Sequence, residues 1–193
     1  MKIGVLALQG AFAEHIATLE KLKTETIPVR LPHQLEGLDG LIIPGGESTT
    51  ITKLMVHYKL KNKIIELAKQ GFPIFGTCAG MIVLAGELSS AGGVKPTGVM
   101  DIKVNRNAFG RQVESFEAEI YIPAIGKKPI TGIFIRAPLI ESVGKAVEVL
   151  ARLSDGTIVA ARQGKLLVCS FHPELTDDTR FHQYFLNIVR GKV

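Results

Sequence analysis

Cys78 stands in Gly76-Thr77-Cys78-Ala79-Gly80, between a short apolar strand and an apolar helix. This Gly-x-Cys-x-Gly form copies the Gly-x-Ser-x-Gly nucleophile elbow with sulfur in place of oxygen. A sharp strand-to-helix turn forces its central residue into a strained backbone conformation, and side chains at the flanking positions would collide. The turn also sets Cys78 at the positive end of a helix, which favours thiolate over thiol. A buried cysteine in a glycine-rich turn is the competing reading of the pentapeptide alone.

A thiolate nucleophile needs a base, and five histidines are available. His15, His33, His57 and His182 read as surface or packing residues. His172 differs, because it ends an apolar strand, 166–171, and is followed by Pro173, which terminates a ladder. Glu174 lies two residues on. In an extended segment, positions i and i+2 point to one side, so Glu174 is expected to accept from one imidazole nitrogen while the other faces sulfur. Nucleophile, base and orienter make a triad. The backbone N–H of Ala79 is a natural oxyanion donor, and the loop Pro44-Gly45-Gly46-Glu47-Ser48 supplies a second; it also reads as a tight turn into a capped helix. Cys169, inside an apolar strand, reads as core.

The elements that must position these residues follow from periodicity. Strands are expected at 2–8, 26–31, 40–44 and 72–76, and helices carry Phe12, Ile16, Leu19 and Leu22, then Ile51, Leu54, Met55 and Tyr58, then 81–88. Ser48 or Thr49 is the expected N-cap of the second helix. This alternation implies a parallel sheet with helices on both faces, whose strand carboxyl ends gather the site. From about Asp101 the pattern turns to strands, at 102–104, 116–122, 132–135, 147–153, 157–162 and 166–171. Ser154-Asp155-Gly156 and Gln163-Gly164 are hairpin turns. A last helix presents Phe181, Tyr184, Phe185 and Ile188, with Thr176 as expected N-cap and Asp177 and Asp178 in its first turn.

The chain has 193 residues, 46% hydrophobic and 21% charged. That suits one domain, 1–193, which buries roughly 70% of its unfolded surface and needs neither disulfides nor a structural metal. Disorder is excluded. The excess of 23 Lys+Arg over 18 Asp+Glu, +5, is scattered and lacks interleaved aromatics, so a nucleic-acid partner is not expected. No stretch reads as a membrane span or a cleavable leader, and two cysteines without such a leader suggest reduced thiols in the cytoplasm.

With the Cys78 elbow, the Pro44–Ser48 loop and His172-Pro173-Glu174 in this order, the sequence resembles the class I, triad glutamine amidotransferases. A narrower likeness rests on Leu8-Gln9-Gly10-Ala11, Gly45-Gly46-Glu47-Ser48-Thr49-Thr50, Arg106-Asn107-Ala108-Phe109-Gly110-Arg111-Gln112, Phe134-Ile135-Arg136-Ala137-Pro138 and Cys169-Ser170-Phe171-His172-Pro173-Glu174-Leu175. These look like the glutaminase subunits of pyridoxal 5′-phosphate synthase, across essentially the whole chain and with no departure at the motif positions.

The resemblance implies a flavodoxin-like, three-layer α/β fold with a mostly parallel central sheet flanked by helices and a β-rich second half. It implies that Cys78 attacks the side-chain amide of L-glutamine, His172 handles the protons and Glu174 orients His172. Gly46 and Ala79 would form the oxyanion hole. Gly46, Glu47, Ser48, Arg106, Ile135 and Arg136 would bind glutamine; which arginine takes the α-carboxylate stays open, and Arg111 is taken as structural. No cofactor and no metal are implied. Ammonia protonated in water is not a nucleophile, so it must be delivered to a separate synthase subunit, which is also expected to activate the glutaminase. Rival readings are a glutaminase of another pathway, such as histidine biosynthesis, a related triad hydrolase or peptidase, and a cysteine redox sensor.

Overall fold

The computed structural model describes residues 1–90, 92–106 and 115–193. Aliphatic runs form β1 (Lys2–Leu6), β2 (Glu25–Val29), β3 (Gly40–Ile43) and β4 (Ile74–Thr77), and the amphipathic segments between them form α1 (Phe12–Lys21), α2 (Ser48–His57) and α3 (Leu60–Lys69). After β4 come α4 (Ala79–Leu84), β5 (Ala85–Leu88), β6 (Met100–Asn105), β7 (Ser115–Ile120), β8 (Ile130–Ile135) and β9 (Leu139–Val143). β10 (Glu148–Arg152), β11 (Ile158–Gln163), β12 (Leu166–Cys169) and α5 (Arg180–Val189) complete the order.

The main sheet runs β2-β1-β3-β4-β12-β11-β9-β6-β5, with β10 also paired to β11. Its first five strands are mutually parallel, and β12 then pairs antiparallel with β11. β7 and β8 make a separate antiparallel ribbon. The side chains sort by strand alternation. Ile3, Val5, Ile42, Phe75, Leu167 and Cys169 share one apolar cluster with Leu19 of α1 and Phe181 and Phe185 of α5. Leu6, Leu41, Ile43, Ile74 and Val168 share the other with Ile51 and Met55 of α2, Ile64 of α3 and Met81 of α4. Three layers result, with a mostly parallel sheet in the middle and the β-rich second half grown onto its edge. Because β12 inserts beside β4, with Cys169 opposite Thr77, residues just before His172 and just before Cys78 reach the same sheet edge.

Several local expectations are corrected. The helix expected at 81–88 stops at Leu84, and 85–88 is a strand parallel to β6; an apolar run has no period that separates helix from buried strand. α3 and β9 were not anticipated. α2 is capped by Glu47, whose carboxylate accepts from the N–H groups of Thr49 and Thr50, at 2.9 and 2.6 Å. α5 starts at Arg180, after Thr179, so Asp177 and Asp178 precede it. Asp178 Oδ1 accepts from Arg180 N at 3.0 Å, while Asp177 faces solvent and pairs with Lys21. Both expected hairpins form, turning through Gly156 and Gly164 at φ +89° and +57°.

Candidate active site

Cys78 sits where β4 gives way to α4, at φ 48° and ψ −103°. A non-glycine residue in such a conformation is strained by on the order of 1–3 kcal/mol and is held there by its surroundings. The backbone around it is close-packed. A Cβ on Gly76 would come within 2.6 Å of the Gly80 carbonyl, and one on Gly80 within 2.0 Å of Ile43 O. Cys78 N–H donates to Cys169 O at 2.8 Å, tying the elbow to β12. Cys169 itself is fully buried.

His172 lies beyond the end of β12, its N–H donating to Ile133 O at 2.8 Å. Its Nδ1 is 2.7 Å from Glu174 Oε1. The i, i+2 pairing arises differently from the extended spacing expected: Pro173–Leu175 is a single 3₁₀ turn, and Pro173 suits its first position because φ is already fixed. With Nδ1–H donated to Glu174, Nε2 is the nitrogen that faces Cys78. Burial works against charge on His172, but hydrogen bonding and charge from Cys78 and Glu174 outweigh it and hold the imidazole proton up to about 10. Glu174 is also buried, which favours its neutral form, yet His15 and His172 keep its carboxyl below the ordinary range.

The Pro44–Ser48 loop packs directly onto this pair. A Cβ on Gly45 would meet His172 Cε1 at 2.3 Å and Cys78 Cβ at 3.3 Å. The segment Leu8–Ala11 braces the loop from the other side: Gln9 Oε1 accepts from Glu47 N–H at 2.7 Å, and Ala11 N–H donates to Gly45 O at 3.0 Å. Across a trans peptide the C=O and the next N–H point oppositely, so the Gly46 N–H is directed away from Ala11.

One cavity of about 310 Å³ is lined by Gly46, Glu47, Ser48, Cys78, Ala79, Ile82, Arg106, Ile135, Arg136 and His172. Small-molecule sites run from roughly 300 to 1,000 Å³, so this one suits a compact substrate. Of the residues expected to act in catalysis and glutamine binding, all line it except Glu174, which stands behind His172. Glu47 lines it while its carboxylate caps α2, lies 4.0 Å from Arg106 and is held down to about 2, chiefly by the Thr50 hydroxyl. Arg106 Nη2 is 3.4 Å from Thr49 Oγ1. Ile135 O lies 4.0 Å from Cys78 Sγ, and Arg136 carries a left-handed φ of 44°. The motif residues 107–112, Arg111 among them, fall outside the described residues.

Sequence reasoning gave no site role to Gln9, Thr77, Ile82, His15 and His182. The two histidines lie in apolar stripes, His15 beside Phe12, Ile16 and Leu19 and His182 beside Phe181 and Phe185, and both are fully buried. A histidine inside such a stripe needs a polar partner, and that was the available signal. Among the described residues no cluster of His, Cys, Asp and Glu could hold a metal ion, and no helix is long and apolar enough to cross a membrane.

A family model described as the SNO glutamine amidotransferase family matches residues 5–190. The chain is 58% identical over 191 residues to the pyridoxal 5′-phosphate synthase subunit PdxT of Dehalococcoides mccartyi strain BAV1, covering 98% of each chain. It is 57% identical over 190 residues to the subunit of the same name from Herpetosiphon aurantiacus, covering 97% of this chain and 100% of the other. A solved structure titled as a glutamine amidotransferase superposes with a TM-score of 0.92 at 49% identity, over 97% of this chain and 98% of that one.

Proposed function

Because the chain belongs to the SNO glutamine amidotransferase family, we propose from that premise what it does and how its site works. It is the glutaminase subunit of pyridoxal 5′-phosphate synthase, hydrolysing L-glutamine to L-glutamate and ammonia. In the reading the cavity supports best, Cys78 Sγ attacks the side-chain amide carbon of glutamine. The amide oxygen becomes an oxyanion, held by the N–H groups of Ala79 and Gly46. His172 gives its proton to the departing nitrogen, ammonia leaves and a thioester remains. His172 then takes a proton from water, the hydroxide adds to the thioester carbon, and collapse releases glutamate and the Cys78 sulfur. Glu174 keeps Nδ1–H in place through both halves.

Gly46, Glu47, Ser48 and Ile135 shape the glutamine pocket. Either Arg106 or Arg136 takes the α-carboxylate, since a guanidinium matches a carboxylate in a two-pronged bond. The observation that carries this reading is the convergence of a strained Cys78, His172 with Glu174 at 2.7 Å behind it, and the Gly46 loop on one small cavity.

The ammonia goes directly to a synthase subunit, which also activates the glutaminase. We read 1–193 as one amidotransferase domain, working in the cytoplasm, where a catalytic thiol stays reduced. The test is ammonia release from L-glutamine with and without that synthase subunit. Weak activity alone, stimulation by the synthase and loss of at least about a thousandfold in Cys78→Ala are expected. Full, unstimulated activity of the isolated chain would sink the activation, and turnover by Cys78→Ala would sink the chemistry.

A further inference from the structure

The polar groups under the cavity do not end at Glu174. His15 of α1 and His182 of α5 are both fully buried, and His15 Nδ1 lies 2.9 Å from His182 Nε2. His15 Nε2 is 3.1 Å from Thr77 Oγ1, in the residue before Cys78, and 3.4 Å from Glu174 Oε2. Phe75 packs edge-on against both imidazoles, at 83° and 80°. Glu174 Oε2 and His182 Nδ1 are buried atoms without a well-formed hydrogen bond.

Only one arrangement of protons suits these positions. If His15 carried its proton on Nδ1, its Nε2 lone pair would face the Glu174 carboxylate. His182 would then accept at Nε2 and leave a buried N–H at Nδ1 with no acceptor, which costs about 1–3 kcal/mol. With the proton on His15 Nε2 instead, His182 donates from Nε2 to His15 Nδ1, and the partnerless His182 Nδ1 is a bare ring nitrogen with no proton to satisfy. The His15 Nε2–H then bonds to Thr77 Oγ1 at 3.1 Å and lies beside Glu174 Oε2, at 3.4 Å, an oxygen with no well-formed hydrogen bond of its own. The charged or titratable groups acting on His15 are Glu174, His172 and Glu14; with burial as the largest influence, His15 is driven toward neutrality, and burial does the same to His182.

Given that triad and its glutaminase reaction, we propose that His15 is a positioning residue: its Nε2–H, oriented by His182 and shared with Thr77, steadies Glu174 Oε2 so that Oε1 keeps His172 turned toward Cys78. His172 thus has two supports, the carboxylate beside it and the neutral imidazole behind that carboxylate. Outer partners of this kind, removed from ligating histidines, change activity by roughly ten- to a hundredfold.

Steady-state glutamine hydrolysis by the chain in complex with its synthase subunit tests this. His15→Leu should lower kcat roughly ten- to a hundredfold while KM for glutamine stays within about twofold. Its kcat/KM profile should show an acid limb moved to higher pH, because a donor that favours the charged carboxylate is gone. His15→Gln, whose amide N–H reaches the same place, should recover most of kcat and the native acid limb. A folded His15→Leu protein with native kcat and acid limb would overturn the role, and so would a folded His15→Gln protein as impaired as His15→Leu. Should His15→Leu show no cooperative melting transition, His15→Gln decides: native kcat and acid limb support the donor, and their loss refutes it. Ammonia release that survives Cys78→Ala would instead refute the glutaminase chemistry itself, an outcome no His15 variant produces.

Discussion

Which atom holds the His172 proton decides both the chemistry and the pH response of single residues. The folded chain holds that proton up to about 10, against an ordinary 6.5. The sign follows from linkage. A raised folded value contributes stability in full below 6.5, and that contribution drains away as pH climbs toward 10. Glu174 acts oppositely: its lowered value contributes above 4.5 and is lost as pH falls further. Melting temperature measured against pH should therefore fall faster above pH 6.5 for the native chain than for His172→Asn, and the gap between the two curves should stop changing near pH 10. Parallel curves through that range would contradict a raised His172.

At the scale of elements, the start of α2 joins stability to the site. Glu47 caps it with bonds from Thr49 N–H, Thr50 N–H and the Thr50 hydroxyl, and its own N–H is fixed by Gln9. Loss of a cap costs about 1 kcal/mol. For a chain of this size that is about 2–4 °C in melting temperature. Glu47→Ala should show that drop and, because the cap anchors the Gly45-Gly46 peptide, a reduced kcat for glutamine. An unchanged melting temperature would mean that the cap carries no net stability. These joints also show what was legible from the residues. The Cys78 elbow, the Gly45-Gly46 loop and His172-Pro173-Glu174 carry the proposed chemistry in residue type and spacing, so their convergence could be expected without coordinates. The helix starts could not, because Ser48, Thr49 and Thr176 are as good cap residues by type, yet Glu47 takes the N–H groups of Thr49 and Thr50, and Thr176 accepts from Asp178 N–H outside the helix while Asp178 accepts from Arg180 N–H. α3 was hidden because it follows α2 after a left-handed Lys59 with no capping side chain. β9 buries only Ile140 of its five residues and meets β11 at one residue pair, so neither alternation nor burial marks it. His15 and His182 find each other only in space, 167 residues apart.

Across the whole molecule, the cavity wall draws on the loop before α2, the start of α4, the end of β6, the end of β8 and the segment after β12, from Gly46 to His172. A ligand there bridges both halves of the sheet, so it should raise the cooperative melting of the entire chain and not of one segment. The Cys78→Ala variant, which lacks the proposed nucleophile, makes this measurable without turnover. A ligand that binds only the folded state at a hundred times its dissociation constant stabilises by about 2.7 kcal/mol. At roughly 2–4 °C per kcal/mol, L-glutamine should raise the melting temperature by roughly 5–10 °C at that excess, growing with the logarithm of concentration. D-glutamine, whose α-carboxylate and ammonium are exchanged in space, should leave it nearly unchanged. The scattered +5 charge gives no reason for either isomer to bind elsewhere on the surface. A melting temperature indifferent to L-glutamine, or shifted equally by both isomers, would mean that this cavity is not where glutamine is held.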